Sequence, residues 1–452
     1  MVIAFFCVLT RMLERLKALM QEQLLQSNPE GTAVPDKAAV ARQPVFDLAG
    51  NVWGYELLYR RPQNLETADI TNGAIATASV LINGFEMVRP GIRSSQKILI
   101  NFTSEMLETQ VIKLLPRDMC VVEVLEDVEP TPEVLKAIKD IKNAGYTIAV
   151  DDYVGQENLQ PFLNLADIVK VDVLGLSDKE LTNHALRARC YGGTLLAEKV
   201  EDLRMAALCR KLGFKLFQGF FFSKPEVVKG KKVTTSQAVR MHILALCIGD
   251  DVDLKAISEA VLHDPVITAN FLKFVNSAHF GLRRRIRSVH HALALVGPIT
   301  FMQWLCVSVL ATLENSPISH ELAFLASQRA KFLENLGKAL DSRRLLPPDV
   351  STSSLFLTGL FSLLENVMGM PLADVLDGVP LEEAVFVALT GGMSLYTPWF
   401  RLMNHYERGE WDKCMGIARQ LSLSEQDLAT AYTNALEWSA KFFGRAEQAA
   451  AG

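Results

Sequence analysis

One break in hydrophobic periodicity limits the fold of this chain more than any other feature. From Ala41 to Pro225, short β-rich runs alternate with helical stretches; beyond Thr235 the apolar residues recur at helical spacing. The strand candidates are Val45–Leu48, Val52–Leu58, Ile98–Phe102, Cys120–Val124, Thr147–Val150, Ile168–Val171, Thr194–Ala197 and Leu216–Phe220. Ala49-Gly50-Asn51 reads as a turn and makes the first two a hairpin. The rest are separated by helix-like segments such as Pro132–Ala144, which stops at Gly145. Repeated βα units imply a parallel sheet, and eight strand candidates in this length imply a closed barrel. The predicted fold is therefore α/β followed by all-α.

The second half carries helical patterns at Leu254–Leu262, Val266–Val275, Ser288–Val296, Phe301–Leu313, Glu321–Leu340, Ser354–Val367 and Glu425–Phe443. Ser223–Thr235, with its Pro, Gly and Lys cluster, reads as a linker. A chain of 452 residues is too long for one ordinary domain. The expected organisation is an extension over 1–40, a barrel over 41–225, a linker over 226–235 and a helical domain over 236–446 with a frayed tail beyond. A cut near Thr235 is expected to leave a folded barrel.

A net charge of -5 argues against sequence-independent nucleic-acid binding, which needs a basic footprint. The basic cluster Arg283-Arg284-Arg285 with Arg287 reads as a solvated turn after Gly281. Seven cysteines, an odd number with no CxxC spacing, read as reduced and buried in a cytoplasmic protein. Met1–Leu9 is apolar but too short to span a bilayer, and Arg11–Gln26 continues as an amphipathic helix. We read that helix as a packing element or as residues without a role, over a membrane-surface or partner helix.

Chemistry in a βα barrel gathers at the C-terminal ends of the strands. Here those ends bear Glu56 and Arg60, then Asn101, then Glu123 and Glu126. Asp151-Asp152, Lys170 and Asp172, Glu198 and Glu201, and Gln218 follow. So many carboxylates are costly together unless a cation neutralises them. Hard oxygen donors without Cys or His favour Mg²⁺ or Mn²⁺, and two such ions can activate a water for attack on phosphorus. Any one of these residues alone would read as a solvated loop carboxylate; the ordered set points to phosphodiester hydrolysis.

The region Ala41–Pro225 resembles the EAL family of cyclic di-GMP phosphodiesterases. Gln43-Pro44 matches its opening QP, and Glu56-Leu57-Leu58-Tyr59-Arg60 its EALxR. Asn101-Phe102-Thr103 stands for NxS, Glu123–Glu126 for ExxE, and Asp151-Asp152-Tyr153 for DDF. Lys170-Val171-Asp172 stands for KxD, Ala197–Glu201 for AEGVE, and Gln218-Gly219-Phe220 for QGY. The resemblance implies a TIM-like (β/α)8 barrel with one antiparallel strand. It implies that Glu56, Asn101, Glu123 and Asp151 bind a first Mg²⁺ or Mn²⁺, and that Asp152 helps hold a second. By the same carry-over, Lys170 and Glu198 orient or deprotonate the attacking water, Arg60 contacts a phosphate, and Gln43 and Gln218 flank the ligand. Two departures stand out. The family's DDFGTGYSS loop is Asp151–Leu159 without its small residues, and the AEGVE glycine is Lys199. The first metal set is retained, whereas the second metal and closure over substrate are put in question.

Ser236–Leu313 resembles the HDOD domain, a relative of HD-type hydrolases, through His263-Asp264-Pro265, Phe274–Ala278, Phe280-Gly281, Ser288-Val289 and Leu295-Val296-Gly297. Where an HD enzyme has its His-Asp pair, this chain has Ser362-Leu363. Asp264 reads as a helix N-cap before Pro265, and His290-His291 would project about 100° apart on a helix, which is no ligand pair. The resemblance implies a metal-free regulatory or protein-interaction module, and admits a homodimer. Two functions remain open: a phosphodiesterase opening cyclic di-GMP to pGpG, or a barrel that binds the nucleotide or a protein without cleaving it.

Overall fold

The computed structural model describes residues 39–59, 81–219, 234–248, 253–262, 264–276, 285–314, 316–376 and 379–443. The expected extension over 1–40, except its last two residues, lies outside them, as do Arg60, Arg283, Arg284 and most of the linker. The chain divides into two compact units.

The first unit is a closed eight-stranded barrel in chain order. Its strands are β1 (Val40–Asp47), β2 (Val52–Tyr59), β3 (Lys97–Phe102), β4 (Cys120–Val124), β5 (Thr147–Val150), β6 (Ile168–Asp172), β7 (Thr194–Glu198) and β8 (Leu216–Phe217). β1 is antiparallel to both β2 and β8; the other pairings are parallel. The β1–β2 turn falls at Ala49-Gly50-Asn51, where Asp47 Oδ1 accepts from the Ala49 and Asn51 amides. β1 begins at Val40, earlier than the expected Val45, despite Pro44. β8 pairs with β1 only at Phe46 and Asp47, so the missing amide of Pro44 breaks no ladder on that side. β8 in turn stops at Phe217 rather than Phe220.

The helices between strands form where the sequence caps them. Thr131 caps Pro132–Asn143, and a reciprocal Ser177–Glu180 capping box opens Asp178–Arg189. Inside the barrel, Val45, Leu99, Val121, Ala149, Ile168, Leu196 and Leu216 form a buried apolar layer. Side chains alternate across a strand, so the next inward position lies two residues on. That step gives Asn101, Glu123, Asp151, Lys170, Glu198 and Gln218; β1 runs the other way, and Val45 steps to Gln43. The apolar layer is thus a floor for a polar one.

The second unit is helical. A 26-residue helix, Pro317–Ser342, is flanked by Thr352–Phe361 and Glu425–Phe442. Phe271, Phe301 and Trp304 pack at its core, with ring centroids 4.7 and 4.9 Å from Phe271. The expected helix Ser354–Val367 is in fact two, Thr352–Phe361 and Leu364–Met368. Ser362 is the C-cap of the first and donates to Gly359 O at 2.6 Å, while Arg329 Nη1 donates to Ser362 Oγ at 3.0 Å. Asp264 accepts from the Ile267 amide at the head of Pro265–Val275, the N-cap geometry expected of it. His290 and His291 are both exposed. No single helix among the described residues is long and apolar enough to cross a membrane. Val289–Val296 and Pro298–Thr312 meet that test only as a pair, which bends by 116°.

Candidate functional site

The polar layer at the barrel mouth is centred on Lys170, which is fully buried. Its ammonium lies 2.8 Å from Asp151 Oδ1, 2.8 Å from Glu198 Oε1 and 3.4 Å from Glu56 Oε2, and it also pairs with Glu123 Oε1. Each of these carboxylates is buried in its turn. Gln218 Nε2 donates to Glu56 Oε2 at 2.6 Å and to Gln43 Oε1 at 3.0 Å. Asn101 Nδ2 donates to Glu56 Oε1 at 3.4 Å.

One ammonium cannot balance four carboxylates removed from water. Burial, with Glu198 and Glu56 beside it, pushes the Asp151 carboxyl well above the usual carboxylate range. Burial also raises Glu198, against the opposing pull of Lys170. Asn101 Oδ1, Glu123 Oε2 and Glu198 Oε2 are buried with no hydrogen-bond partner among the described residues. Orphaned oxygens of this kind, turned into an excess of negative charge, fit a hard divalent cation. Oxygens of Glu56, Glu123 and Glu198 lie within 4.8 Å of one another, as do those of Glu126, Asp151 and Asp152, and either group could hold an ion.

The structure brings together Gln43, Glu56, Asn101, Glu123, Asp151, Lys170, Glu198 and Gln218. Asp152 stands at the rim, with Lys199 Nζ 3.3 Å from its Oδ1. Arg60 lies outside the described residues. Asp172, grouped by sequence with Lys170, instead takes Lys199 Nζ on Oδ2 at 2.6 Å. Burial lowers the pKa of Lys199, yet the Asp172 hydrogen bond and the charges of Asp152, Asp172 and Glu198 outweigh it and hold the ammonium above the ordinary lysine range. The departure at Lys199 is legible in the sequence; its pairing with Asp172 is not, because the two meet only when β6 and β7 lie side by side.

The loop after Asp152 is tied back on itself. Gln156 Oε1 accepts from the Val154 amide at 2.7 Å, and Gln156 Nε2 donates to Asp152 O at 2.9 Å. Tyr153 meets His184 edge-on, 6.3 Å between centroids. A further contact comes from far along the chain: Tyr406–Trp411 clusters with the barrel unit. There Gln43 Nε2 donates to Glu407 O at 3.0 Å and Tyr406 Oη donates to Val40 O at 3.1 Å. Cysteines 120, 209, 247, 306 and 414 are buried and not disulfide-bonded, but Cys190 is exposed.

Residues 233–360 match the HDOD domain family. The chain is 29% identical over 408 residues to the uncharacterised protein YuxH of Bacillus subtilis, spanning 88% of this chain and 97% of that one. It is 27% identical over 405 residues to the cyclic di-GMP phosphodiesterase CdgJ of Vibrio cholerae, spanning 88% and 92%. Among solved structures, Bacillus subtilis YkuI, an EAL-domain protein in complex with cyclic di-GMP and calcium, matches at 18% identity with a TM-score of 0.35, over 60% of this chain and 73% of that one. The closed barrel with its antiparallel first strand, its carboxylate-lined mouth and the HDOD match support an EAL–HDOD two-domain architecture.

Proposed function

We propose that the protein acts in cyclic di-GMP signalling, with the barrel as a divalent-metal-dependent phosphodiesterase that opens cyclic di-GMP to pGpG. The observation that carries this is the set of buried carboxylates around Lys170 with oxygens left unpaired. The similarity to a relative named as a cyclic di-GMP phosphodiesterase supports it. In this reading Glu56, Asn101, Glu123 and Asp151 hold Mg²⁺ or Mn²⁺, and Lys170 and Glu198 orient the attacking water. The bound ion would polarise that water and offset the charge of the phosphate. The water oxygen forms a new bond to phosphorus, one P–O bond of the ring breaks, and the leaving oxygen takes up a proton. Gln43 and Gln218, linked to each other at the rim, flank the nucleotide. The helical unit serves as a regulatory, protein-contacting module.

Purified full-length protein, cyclic di-GMP and Mn²⁺ should yield pGpG. Lys170→Ala and Glu198→Ala should each lower the rate by ~10²–10⁴-fold, as loss of acid–base groups does, while nucleotide binding stays measurable. The tied-back loop after Asp152 and the Lys199 ammonium favour a second reading, a barrel that senses the nucleotide without cleaving it. Tight binding without turnover in Mg²⁺ or Mn²⁺ would select it.

A further inference from the structure

We propose that Lys199 takes the place of a second divalent cation, so that this barrel binds one metal ion, at its buried carboxylates, and not two. The inference rests on the metal-dependent reading above. Two groups of carboxylates could hold ions, and an ammonium already touches each, Lys170 in the deep group and Lys199 at the rim. At the deep group, Glu123 is wholly buried and Glu198 nearly so, and each keeps one oxygen unpaired. At the rim group of Glu126, Asp151 and Asp152, Lys199 Nζ reaches one member, Asp152 Oδ1 at 3.3 Å, and ties it to Asp172 Oδ2 at 2.6 Å.

Backbone conformation provides an independent observation. Lys199 has φ +53° and Asp152 φ +42°, so both partners of the ion pair are left-handed. Asp adopts that region with some ease; a long unbranched side chain does so rarely. Such residues persist where their surroundings over-determine them. The surroundings here are the two carboxylates that grip the ammonium, and the turn directly after Glu198 aims it at them. An ammonium supplies one positive charge beside Asp152. It neutralises the rim, but it cannot lower the pKa of a bound water as a divalent ion does.

The test is metal stoichiometry on the full chain, read by elemental analysis after Mn²⁺ loading and desalting, with electron paramagnetic resonance to separate isolated from paired Mn²⁺. Wild type should hold one isolated ion per chain. Lys199→Gly, which relieves the left-handed backbone, and Lys199→Asn, which tolerates it without a charge, should each hold two, with the signature of a coupled pair. Adding Asp152→Asn to Lys199→Gly should return the count to one, whereas Asp152→Asn alone should leave it unchanged. Two ions in wild type, or one ion in both Lys199 variants, would overturn the inference and leave the metal reading intact. No ion in any of these proteins would overturn the metal reading itself, and this inference with it.

Discussion

At the scale of residues, Lys170 is the only cation within ion-pairing distance of Glu56, Glu123 and Glu198 among the described residues. Removing one partner from a buried charge cluster costs about 3–5 kcal/mol, because the remaining charges lose their compensation. Lys170→Met should therefore unfold at markedly lower denaturant in the presence of chelator, and Mn²⁺ should recover part of the loss; denaturant melts with and without metal check both. Glu123→Gln acts in the opposite sense. It removes a negative charge from a site with too many, so apo stability should not fall, while Mn²⁺ affinity measured by calorimetry should drop at least tenfold. Equal affinity in the two proteins would sink the assignment of Glu123 as a ligand. Nearly all of these residues could be picked from the sequence, because a strand's two-residue period places each of them one step above an apolar one: Leu99 under Asn101, Val121 under Glu123, Ile168 under Lys170. Their mutual pairing could not, since it depends on which strands are neighbours and on the reach of a single long side chain.

At the scale of elements, Gly219 shows how the end of β8 is fixed. It has φ +137°, and a Cβ there would lie 2.3 Å from the Val200 amide nitrogen. The Val200 amide donates to Gln218 O at 3.0 Å, so this close approach also sets Gln218. Gly219→Ala should cost about 1–3 kcal/mol by overpacking and should weaken nucleotide binding through the displaced Gln218; a thermal melt and a binding isotherm on the same sample check it. In the helical unit, Glu334 takes Lys331 at 2.7 Å and Lys338 at 2.5 Å, and Gln303 donates to it at 3.0 Å. Burial raises its carboxyl, but the two lysines and these hydrogen bonds prevail and hold it below the ordinary range. Its folded pKa is depressed, so its contribution is present above the unfolded value of ~4.3 and is lost as pH falls through the folded one. Glu334→Gln should thus destabilise the chain at neutral pH and converge with wild type in acid. Strand positions were legible to within a few residues because short apolar runs alternate with capped helices. The helical unit was less so. Apolar spacing runs unbroken across Ser362-Leu363, and only the tertiary partner Arg329 shows why the helix ends there. Periodicity gave no helix at Glu383–Leu389, Thr397–Glu407 or Trp411–Gln420, short segments broken by Gly391-Gly392 and Gly409.

At the scale of the whole molecule, a cut near Thr235 does not isolate the first compact unit, because that unit includes Tyr406–Trp411. A chain ending at residue 235 loses the Tyr406 bond to Val40 and the carbonyl that fixes Gln43. Such a truncation should fold less stably than the barrel within the full chain and should bind cyclic di-GMP with altered affinity; restoring Tyr406–Trp411 as a fused peptide should recover part of the stability. Identical melting of the truncated and full-length barrels would show that these contacts carry no weight. The same discontinuity bears on synthesis. The ribosome delivers β1 to β8 early, but the residues that bond Val40 and Gln43 emerge only after most of the helical unit, roughly 10–40 s later at ~5–20 residues per second. Through that interval the Val40 carbonyl and the Gln43 side chain of the nascent barrel lack their partners in Tyr406 and Glu407.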